Sequence, residues 1–211
     1  MPPALENRTV VIVGGTAGLG LSAAKACVTA GASVVVVGRN ADGATQACGE
    51  LGPSARACVG DASLPGTATT AIETAIDAFG RFDSLYHVAG GSGRKWGDGP
   101  LHELTDEAVE ATLRLNLASL IYSNRAAVRT LLKRKSPGSI LNMGSVLGSS
   151  PSPRFFATHV YAAAKSAIVG FTKSCAAYYA KYDIRFNVVA PALVDTPMAR
   201  RAAEDPQINK Y

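Results

Sequence analysis

The chain has 211 residues, a length typical of one domain with a single large buried core. Hydrophobic residues make up 47% of the chain and charged residues 18%, a globular balance that excludes an intrinsically disordered protein. The net charge of +5 is not arranged as a basic stripe with interleaved aromatic residues, so we expect no nucleic-acid partner.

Strand-like and helix-like segments alternate along the whole chain. Short β-branched runs predict strands, because continuous apolar runs are typical of strands covered on both faces of a parallel sheet. The longer segments between them predict helices, with Gly31 and Gly80 ending two of these and Thr105 capping another. The predicted strands are 10–13, 33–37, 55–59, 84–88, 139–143 and 185–189, and the predicted helices are 21–30, 41–51, 68–79, 106–133 and 160–181.

This alternation of elements predicts the fold class. Strands that alternate with helices form right-handed βαβ units, so we expect a doubly wound, parallel α/β sheet of the Rossmann type. The sequence contains no internal repeat, linker or low-complexity segment. We therefore expect one nucleotide-binding domain that spans residues 1–211.

Several features favour a cytoplasmic protein. Cys27, Cys48, Cys58 and Cys175 match no zinc-binding spacing and include no CxxC, so we expect reduced cysteines and no metal site. Residues 1–6 lack the basic-then-apolar pattern of a secretion signal. No apolar run reaches the roughly 20 residues of a membrane span, so no membrane contact is expected.

A cluster of glycines lies between the first strand and the first helix, in Gly14-Gly15-Thr16-Ala17-Gly18-Leu19-Gly20. A backbone without Cβ atoms can turn sharply there and approach a pyrophosphate, which the helix N-terminus then attracts. An ordinary strand–helix turn is the alternative, but the position after an N-terminal strand favours phosphate binding.

The ends of the second and third strands indicate the type of cofactor. The second strand is followed by Arg39 and no carboxylate, so a 2′-phosphate would be paired rather than repelled, which favours NADP(H) over NAD(H). The alternative for Arg39 is an ordinary exposed arginine. Asp61, after the third strand, either accepts a hydrogen bond from the adenine amino group or forms a simple Asx turn.

Four polar residues form the candidate catalytic group. Tyr161 and Lys165 have the i, i+4 spacing that places both on one face of a helix, where an ammonium lowers the pKa of a phenol. Ser145 follows the fifth strand, where a hydroxyl can bind a substrate oxygen, although an ordinary loop serine is the alternative. Asn116 lies in an apolar helical stretch, so its amide needs either a structural bond or an ordered water.

Taken in chain order, these segments resemble the motifs of the short-chain dehydrogenase/reductase family from about residue 8 to 198. Each motif is modest, but the ordered set is specific. The matching residues are Gly14, Gly18 and Gly20 for TGxxxGxG; His87-Val88-Ala89-Gly90 for NNAG; Asn116, Ser145, Tyr161 and Lys165 for the catalytic tetrad; and Pro191-Ala192-Leu193-Val194-Asp195-Thr196 for PGxxxT.

The resemblance implies a role for each of these residues. Tyr161 would be the general acid in reduction and the base in oxidation, and Ser145 would orient the substrate oxygen. Lys165 would lower the pKa of Tyr161 and bind the nicotinamide ribose, while Asn116 would hold a water that links Lys165 to solvent. The implied cofactor contacts are Gly14, Thr16, Gly18, Leu19, Gly20, Arg39, Asp61, Ala62, Ala89, Gly90, Tyr161, Lys165, Pro191, Val194 and Thr196.

The sequence also departs from the family pattern. Val13, His87 and Ala192 replace a threonine, an asparagine and a glycine of the motifs, and the segment from Ser145 to Tyr161 is longer than usual. Family members usually continue into a further helix and a seventh strand, which we expect this sheet to lack because the sequence stops at Tyr211. The family's usual assembly implies a homo-oligomer, either a dimer or a tetramer.

The leading hypothesis is an oxidoreductase that transfers a hydride between NADP(H) and a carbonyl or secondary alcohol substrate. NAD(H) is less favoured as the cofactor because Arg39 stands where an acidic residue would be expected. The alternative is a catalytically weak NADP(H)-binding sensor or scaffold, motivated by the missing C-terminal elements. A nucleic-acid binder rests on the net charge alone.

Overall fold

The computed structural model describes residues 3–196 and 204–209, and it contains a parallel sheet between two layers of helices. The strands are β1 Thr9–Val13, β2 Ser33–Gly38, β3 Ala55–Val59, β4 Ser84–His87, β5 Gly138–Met143 and β6 Ile184–Val189. The helices are α1 Gly18–Thr29, α2 Ala41–Leu51, α3 Thr67–Phe79, α4 Asp106–Leu113, α5 Ser119–Arg134, α6 His159–Tyr179 and the short α7 Pro206–Asn209.

The strand order is β3-β2-β1-β4-β5-β6, and every pair of neighbours is parallel. The strand order reverses between β1 and β4, because β2 and β3 lie on one side of β1 while β4, β5 and β6 lie on the other. At this point Val13 is in register with both Val37 and His87. This is the doubly wound arrangement that the sequence predicts. Ligands of such sheets bind beyond the carboxyl ends of the strands at that point of reversal.

The core lies on both faces of the sheet. Successive residues of β1 point to opposite faces, so Val11 and Val13 pack in one apolar cluster while Val10 and Ile12 pack in the other. The first cluster includes residues of α3 and α5, and the second includes residues of α1 and α2. This double burial explains the continuous valine runs of β1 and β2.

The element boundaries differ from the predicted ones at a few places that bear on the site. α1 begins at Gly18 instead of residue 21, so the glycine cluster includes the first turn of the helix. β4 ends at His87, because the backbone N–H groups of Val88 and Ala89 both turn back to the Val13 carbonyl, at 2.8 and 2.9 Å.

The long helix predicted for 106–133 is interrupted by a π-helical turn over Arg114–Ala118, which the sequence pattern does not reveal. Thr105 caps its start as predicted, since its hydroxyl accepts a 3.1 Å hydrogen bond from the backbone N–H of Ala108. Within the described ranges, no helix combines the length and the apolar character needed to cross a bilayer.

Candidate functional site

The carboxyl edge of the sheet collects residues that are far apart in the sequence. Every strand of this parallel sheet ends at that edge, and each strand is followed there by predicted site residues. In strand order across the sheet these are Asp61 and Ala62 after β3, Arg39 after β2, Gly14 to Gly20 after β1, Ala89 and Gly90 after β4, Ser145 after β5, and Pro191, Val194 and Thr196 after β6.

The glycine loop is required by close backbone approaches. Gly14 has a φ of +87°, and a Cβ atom placed on it would lie 2.7 Å from the backbone nitrogen of Ala89. A Cβ on Gly20 would collide with the carbonyl oxygen of Gly14, so the first turn of α1 packs directly on the loop that precedes it. A Cβ on Gly38 would likewise collide with the side chain of Thr16, so this loop also packs against the end of β2.

The N-terminus of α1 suits an anion. Its N-cap residue, Ala17, makes no side-chain capping bond, and the first turn carries no acidic residue. By contrast, the N-terminus of α2 is capped by Asn40, whose side chain accepts a 2.7 Å bond from Gly43. The uncapped N–H groups and the positive end of the helix dipole therefore fit the pyrophosphate of a dinucleotide.

Arg39 and Asp61 flank this loop. Arg39 is exposed, and its charge helps to lower the pKa of Asp61, together with the charge of Lys95. The largest cause of that lowered pKa is a 2.8 Å hydrogen bond from the backbone N–H of Ser63 to the Asp61 carboxylate. Asp61 thus forms the Asx turn that the sequence leaves open, and this bond uses one of its two carboxylate oxygens.

Ser145, Tyr161 and Lys165 meet between the end of β5 and the first turns of α6. The side chains of Ser145 and Tyr161 are hydrogen-bonded to each other. Lys165 is only 3% exposed, and its Nζ donates a 2.8 Å bond to the carbonyl oxygen of Met143. The same Nζ lies 5.5 Å from the centroid of the Tyr161 ring.

The electrostatics of this group differ from the expectation in one respect. Burial lowers the pKa of Lys165 from 10.5 to about 8. Burial also raises the pKa of Tyr161, and the hydrogen bond from Ser145 only partly offsets it. The expected net lowering of the Tyr161 pKa is therefore wrong for this geometry, because the cost of removing a phenolate from water outweighs the interactions that favour it.

Asn116 lies in the π-helical turn and is buried. Its Nδ2 donates to the carbonyl oxygens of Gly91, at 2.9 Å, and Thr112, at 3.0 Å, and its Oδ1 accepts a 3.1 Å bond from the backbone N–H of Gly91. The open question about this amide is thereby answered in favour of structural bonds. Its side chain ties the loop after β4 to the helix, and a Cβ on the adjacent Gly90 would lie 3.5 Å from the Nζ of Lys165.

His87 explains how the loop after β4 tolerates a departure from the family pattern. The buried ring lies 3.0 Å from the hydroxyl of Ser123 through Nδ1 and 3.1 Å from the carbonyl oxygen of Ala89 through Nε2. Burial, reinforced by the charge of Lys165, lowers the pKa of His87 to about 3. The neutral ring therefore donates from Nε2 to Ala89 and holds the backbone beside the glycine loop.

Asp98 is a site residue that the sequence analysis missed. Its carboxylate accepts hydrogen bonds from the backbone N–H groups of Val160, at 3.0 Å, and Tyr161, at 2.8 Å. No local pattern reveals this contact, because the partners lie in separate elements. The one signal was an acidic residue in the otherwise glycine-rich segment from Gly90 to Pro100.

The segments after β5 and β6 close the other side of the site. The backbone N–H of Val146 donates a 3.1 Å bond to the carbonyl oxygen of Pro191, and Thr196 bonds to Val194 at 3.4 Å. The longer segment before α6 is held from outside, since Arg94 donates a 2.9 Å bond to the carbonyl oxygen of Phe155. Arg154, in the same segment, bonds to Gln207 of α7 at 3.0 Å.

Comparison with known proteins places these features in one family. The model of the short chain dehydrogenase family matches residues 8–207. The chain is 35% identical over 199 residues to momilactone A synthase of Oryza sativa subsp. japonica, covering 94% of this chain and 70% of that protein. It is 31% identical over 199 residues to the 3-oxoacyl-[acyl-carrier-protein] reductase of Bos taurus, covering 94% of this chain and 81% of that protein.

A solved structure agrees with these relatives. The 3-ketoacyl-(acyl-carrier-protein) reductase from Brucella melitensis, complexed with NADH, superposes with a TM-score of 0.84 at 26% sequence identity. The match covers 93% of this chain and 80% of that chain. The resemblance seen in the sequence motifs is therefore confirmed at the level of the whole fold.

Proposed function

Since this chain belongs to the short-chain dehydrogenase family, we propose that it is an NADP(H)-dependent oxidoreductase that interconverts a carbonyl compound and the corresponding secondary alcohol. The observation that carries the proposal is the meeting of Ser145, Tyr161 and Lys165 at the same sheet edge as the glycine loop. Such a group can transfer a proton to or from an oxygen that lies beside a bound dinucleotide.

The residues that would hold the cofactor follow from the geometry of the edge. The pyrophosphate would lie at the uncapped start of α1, where Gly18, Leu19 and Gly20 supply backbone N–H groups. When bound, the nicotinamide supplies or accepts the hydride. The other residues proposed to contact the cofactor are Gly14, Thr16, Arg39, Asp61, Ala62, Ala89, Gly90, Pro191, Val194 and Thr196.

Tyr161 is proposed to move the proton. Because its pKa is raised by burial, the phenol is protonated at neutral pH and can donate to a substrate oxygen during reduction. Ser145, which is bonded to the same phenol, would hold that oxygen in place. Lys165 would bind the nicotinamide ribose and favour the phenolate after the proton has left.

Asn116 is proposed to have a structural role in addition to the water-binding role that the resemblance implies. Its amide bonds to Gly91 and Thr112, so we propose that the side chain holds the loop after β4 against the helix. Through that loop, Asn116 would position Gly90 beside Lys165.

The preference for NADP(H) rests on Arg39. It is exposed at the end of β2, and no carboxylate takes the place of the acidic residue that binds ribose hydroxyls in NAD-specific sheets. A guanidinium can pair with a 2′-phosphate through two parallel hydrogen bonds. The NADH complex described above belongs to the Brucella melitensis protein and does not decide the preference of this chain.

The test is turnover by the purified protein. We would follow NADPH absorbance with a panel of ketones, aldehydes, quinones and 3-oxoacyl thioesters, using Tyr161→Phe beside the wild type. We expect the variant to lose at least about a hundredfold in turnover, the size of a general-acid contribution, while NADPH still binds. Equal turnover by the variant would contradict the role of Tyr161, and tight NADPH binding without wild-type turnover would contradict the proposed enzyme.

A further inference from the structure

The carboxylate of Asp98 occupies a place that a local capping residue normally fills. The two backbone N–H groups that it binds belong to the first turn of α6, where no partner exists within the helix. Thr158, the N-cap residue of α6, makes no side-chain capping bond. The start of the helix that carries Tyr161 is therefore held by a residue from another loop.

Two other helices of the described part of the chain are capped locally. α2 is capped by Asn40 and α4 by Thr105, both of which are their own N-cap residues. Asp98 differs from them in being only 3% exposed and in binding two N–H groups with two oxygens. Hydrogen bonds to a charged acceptor are stronger than neutral ones, and a carboxylate is favoured at a helix N-terminus.

The loop that contains Asp98 is held by its own backbone hydrogen bonds. A compact turn runs from Gly93 to Asp98, with backbone bonds from Trp96 to Gly93 at 2.9 Å, from Gly97 to Arg94 at 3.0 Å and from Asp98 to Gly93 at 3.3 Å. Gly93 and Gly97 have positive φ values of 73° and 96°, which favour glycine.

This turn is also wedged between two helices. A Cβ on Gly93 would lie 2.9 Å from the Cγ2 of Thr112 in α4, so the turn packs directly on that helix. On its other side, Arg94 binds the carbonyl oxygen of Phe155 and Asp98 binds the start of α6. The Gly93–Asp98 turn thus links α4 to the segment that leads into the candidate catalytic helix.

We propose that Asp98 is a positioning residue that fixes the Tyr161 phenol through the backbone of α6. This inference rests on the proposed function, because it assigns to Asp98 an effect on proton transfer by Tyr161. The carboxylate touches neither substrate nor cofactor in this role. It sets where α6 begins, and therefore where Tyr161 in its first turn and Lys165 in its second turn point.

Turnover by Asp98 variants tests the positioning role. Misplacement of a reacting group by about 1 Å lowers a rate by about a hundredfold, so Asp98→Ala should lower kcat by about tenfold to a hundredfold. Asp98→Asn keeps one acceptor oxygen and should fall between wild type and Asp98→Ala. The dissociation constant for NADPH should change by less than about threefold, because most of the proposed cofactor contacts lie on segments outside α6.

Thr105→Ala is the matched control. It removes a helix N-cap of the neighbouring α4, and so lowers stability in a similar way without removing a hydrogen bond to the start of α6. With kcat referred to the concentration of folded, NADPH-binding sites, Thr105→Ala should match the wild type. An equal loss of kcat in both variants, or an unchanged kcat in Asp98→Ala, would overturn the positioning role.

Amide hydrogen exchange tests the structural step without turnover. Asp98→Ala should speed exchange at Val160 and Tyr161 by at least about tenfold, while Thr105→Ala leaves these amides as protected as in the wild type. Unchanged protection in Asp98→Ala would overturn the inference whether or not the protein reduces carbonyls. Faster exchange combined with an inactive wild type would instead overturn the proposed function and leave Asp98 as the anchor of α6.

Discussion

Lys165 carries its charge in a buried position, and this has a consequence for stability as well as for the site. Its pKa is lowered to about 8 in the folded protein, whereas an unfolded lysine retains the ordinary value of 10.5. Between these pH values the unfolded chain binds more protons, so the contribution of Lys165 to the free energy of unfolding becomes more favourable as pH rises. Below pH 8 the buried ammonium destabilises the fold by up to about 3 kcal/mol.

We therefore expect Lys165→Met to raise the free energy of unfolding at pH 7, with a gain that shrinks as the pH approaches 10. The lost hydrogen bond to Met143 reduces the gain but does not change its dependence on pH. Tyr161 does not interfere, because its raised pKa acts only above pH 10. The measurement is denaturant unfolding at several pH values.

Lys173→Met provides the control for this series. Lys173 is an exposed lysine on the same helix, so its removal should leave the pH dependence of the wild type unchanged. A pH-independent difference between Lys165→Met and the wild type would show that folding does not lower the pKa of Lys165.

Also at the scale of single residues, we expect the side chain of Arg39 to set the preference for NADP(H) over NAD(H). Replacing it by aspartate, Arg39→Asp, would repel a 2′-phosphate and offer an acceptor to ribose hydroxyls. The kcat/KM for NADPH relative to that for NADH should therefore fall at least about tenfold, or about 1.4 kcal/mol. The ratio of kcat/KM for NADPH and NADH measures this change. Arg129→Asp, an exposed arginine of α5, should leave the ratio as it is. An unchanged ratio in Arg39→Asp would mean that this side chain does not bind the phosphate.

At the scale of elements, two glycines show how the same residue type serves different purposes. Gly14 combines a φ of +87° with a close contact to Ala89, whereas Gly49 lies on the exposed face of α2 with open space around its missing Cβ. The first is required by the turn between β1 and α1. The second only weakens a helix, because glycine has a low helix propensity.

Replacing these two glycines by alanine should change the free energy of unfolding in opposite directions. Gly49→Ala should raise the free energy of unfolding by about 0.5–1 kcal/mol and leave NADPH binding unchanged. Gly14→Ala should lower it by more than about 1 kcal/mol and weaken NADPH binding, because the backbone beside Ala89 must move. Thermal unfolding and NADPH fluorescence titration measure both. A stabilising Gly14→Ala would contradict the close approach of the two loops.

At the scale of the whole molecule, the expected homo-oligomer stays a prediction. β3 and β6 are the edge strands of the sheet formed by the described residues, and Val189 near the end of β6 is exposed. At the end of α6, Tyr178 is 60% exposed and packs edge-on against Tyr179. Exposed strand edges and aromatic side chains favour association, so sedimentation should give a dimer or a tetramer. A monomer across the accessible concentration range would contradict this.

Much of the fold followed from local patterns. The valine runs of β1 and β2, the cap at Thr105 and the left-handed Gly80 after α3 are set by neighbours in the sequence, so their positions could be predicted to within a few residues. The π-helical turn around Asn116 could not be predicted. It depends on the bonds of that amide to Gly91, a residue in a separate loop.

The sequence by itself determined the class of fold, the family and the chemistry that the site residues can perform, because these depend on residue type, spacing and order. The tertiary structure alone decided how those groups behave. It buried Lys165 and partly buried Tyr161, which shifted both pKa values, and it brought Asp98 to the start of α6. Burial and contacts between distant segments arise only when the strands and helices pack, and no local spacing encodes them.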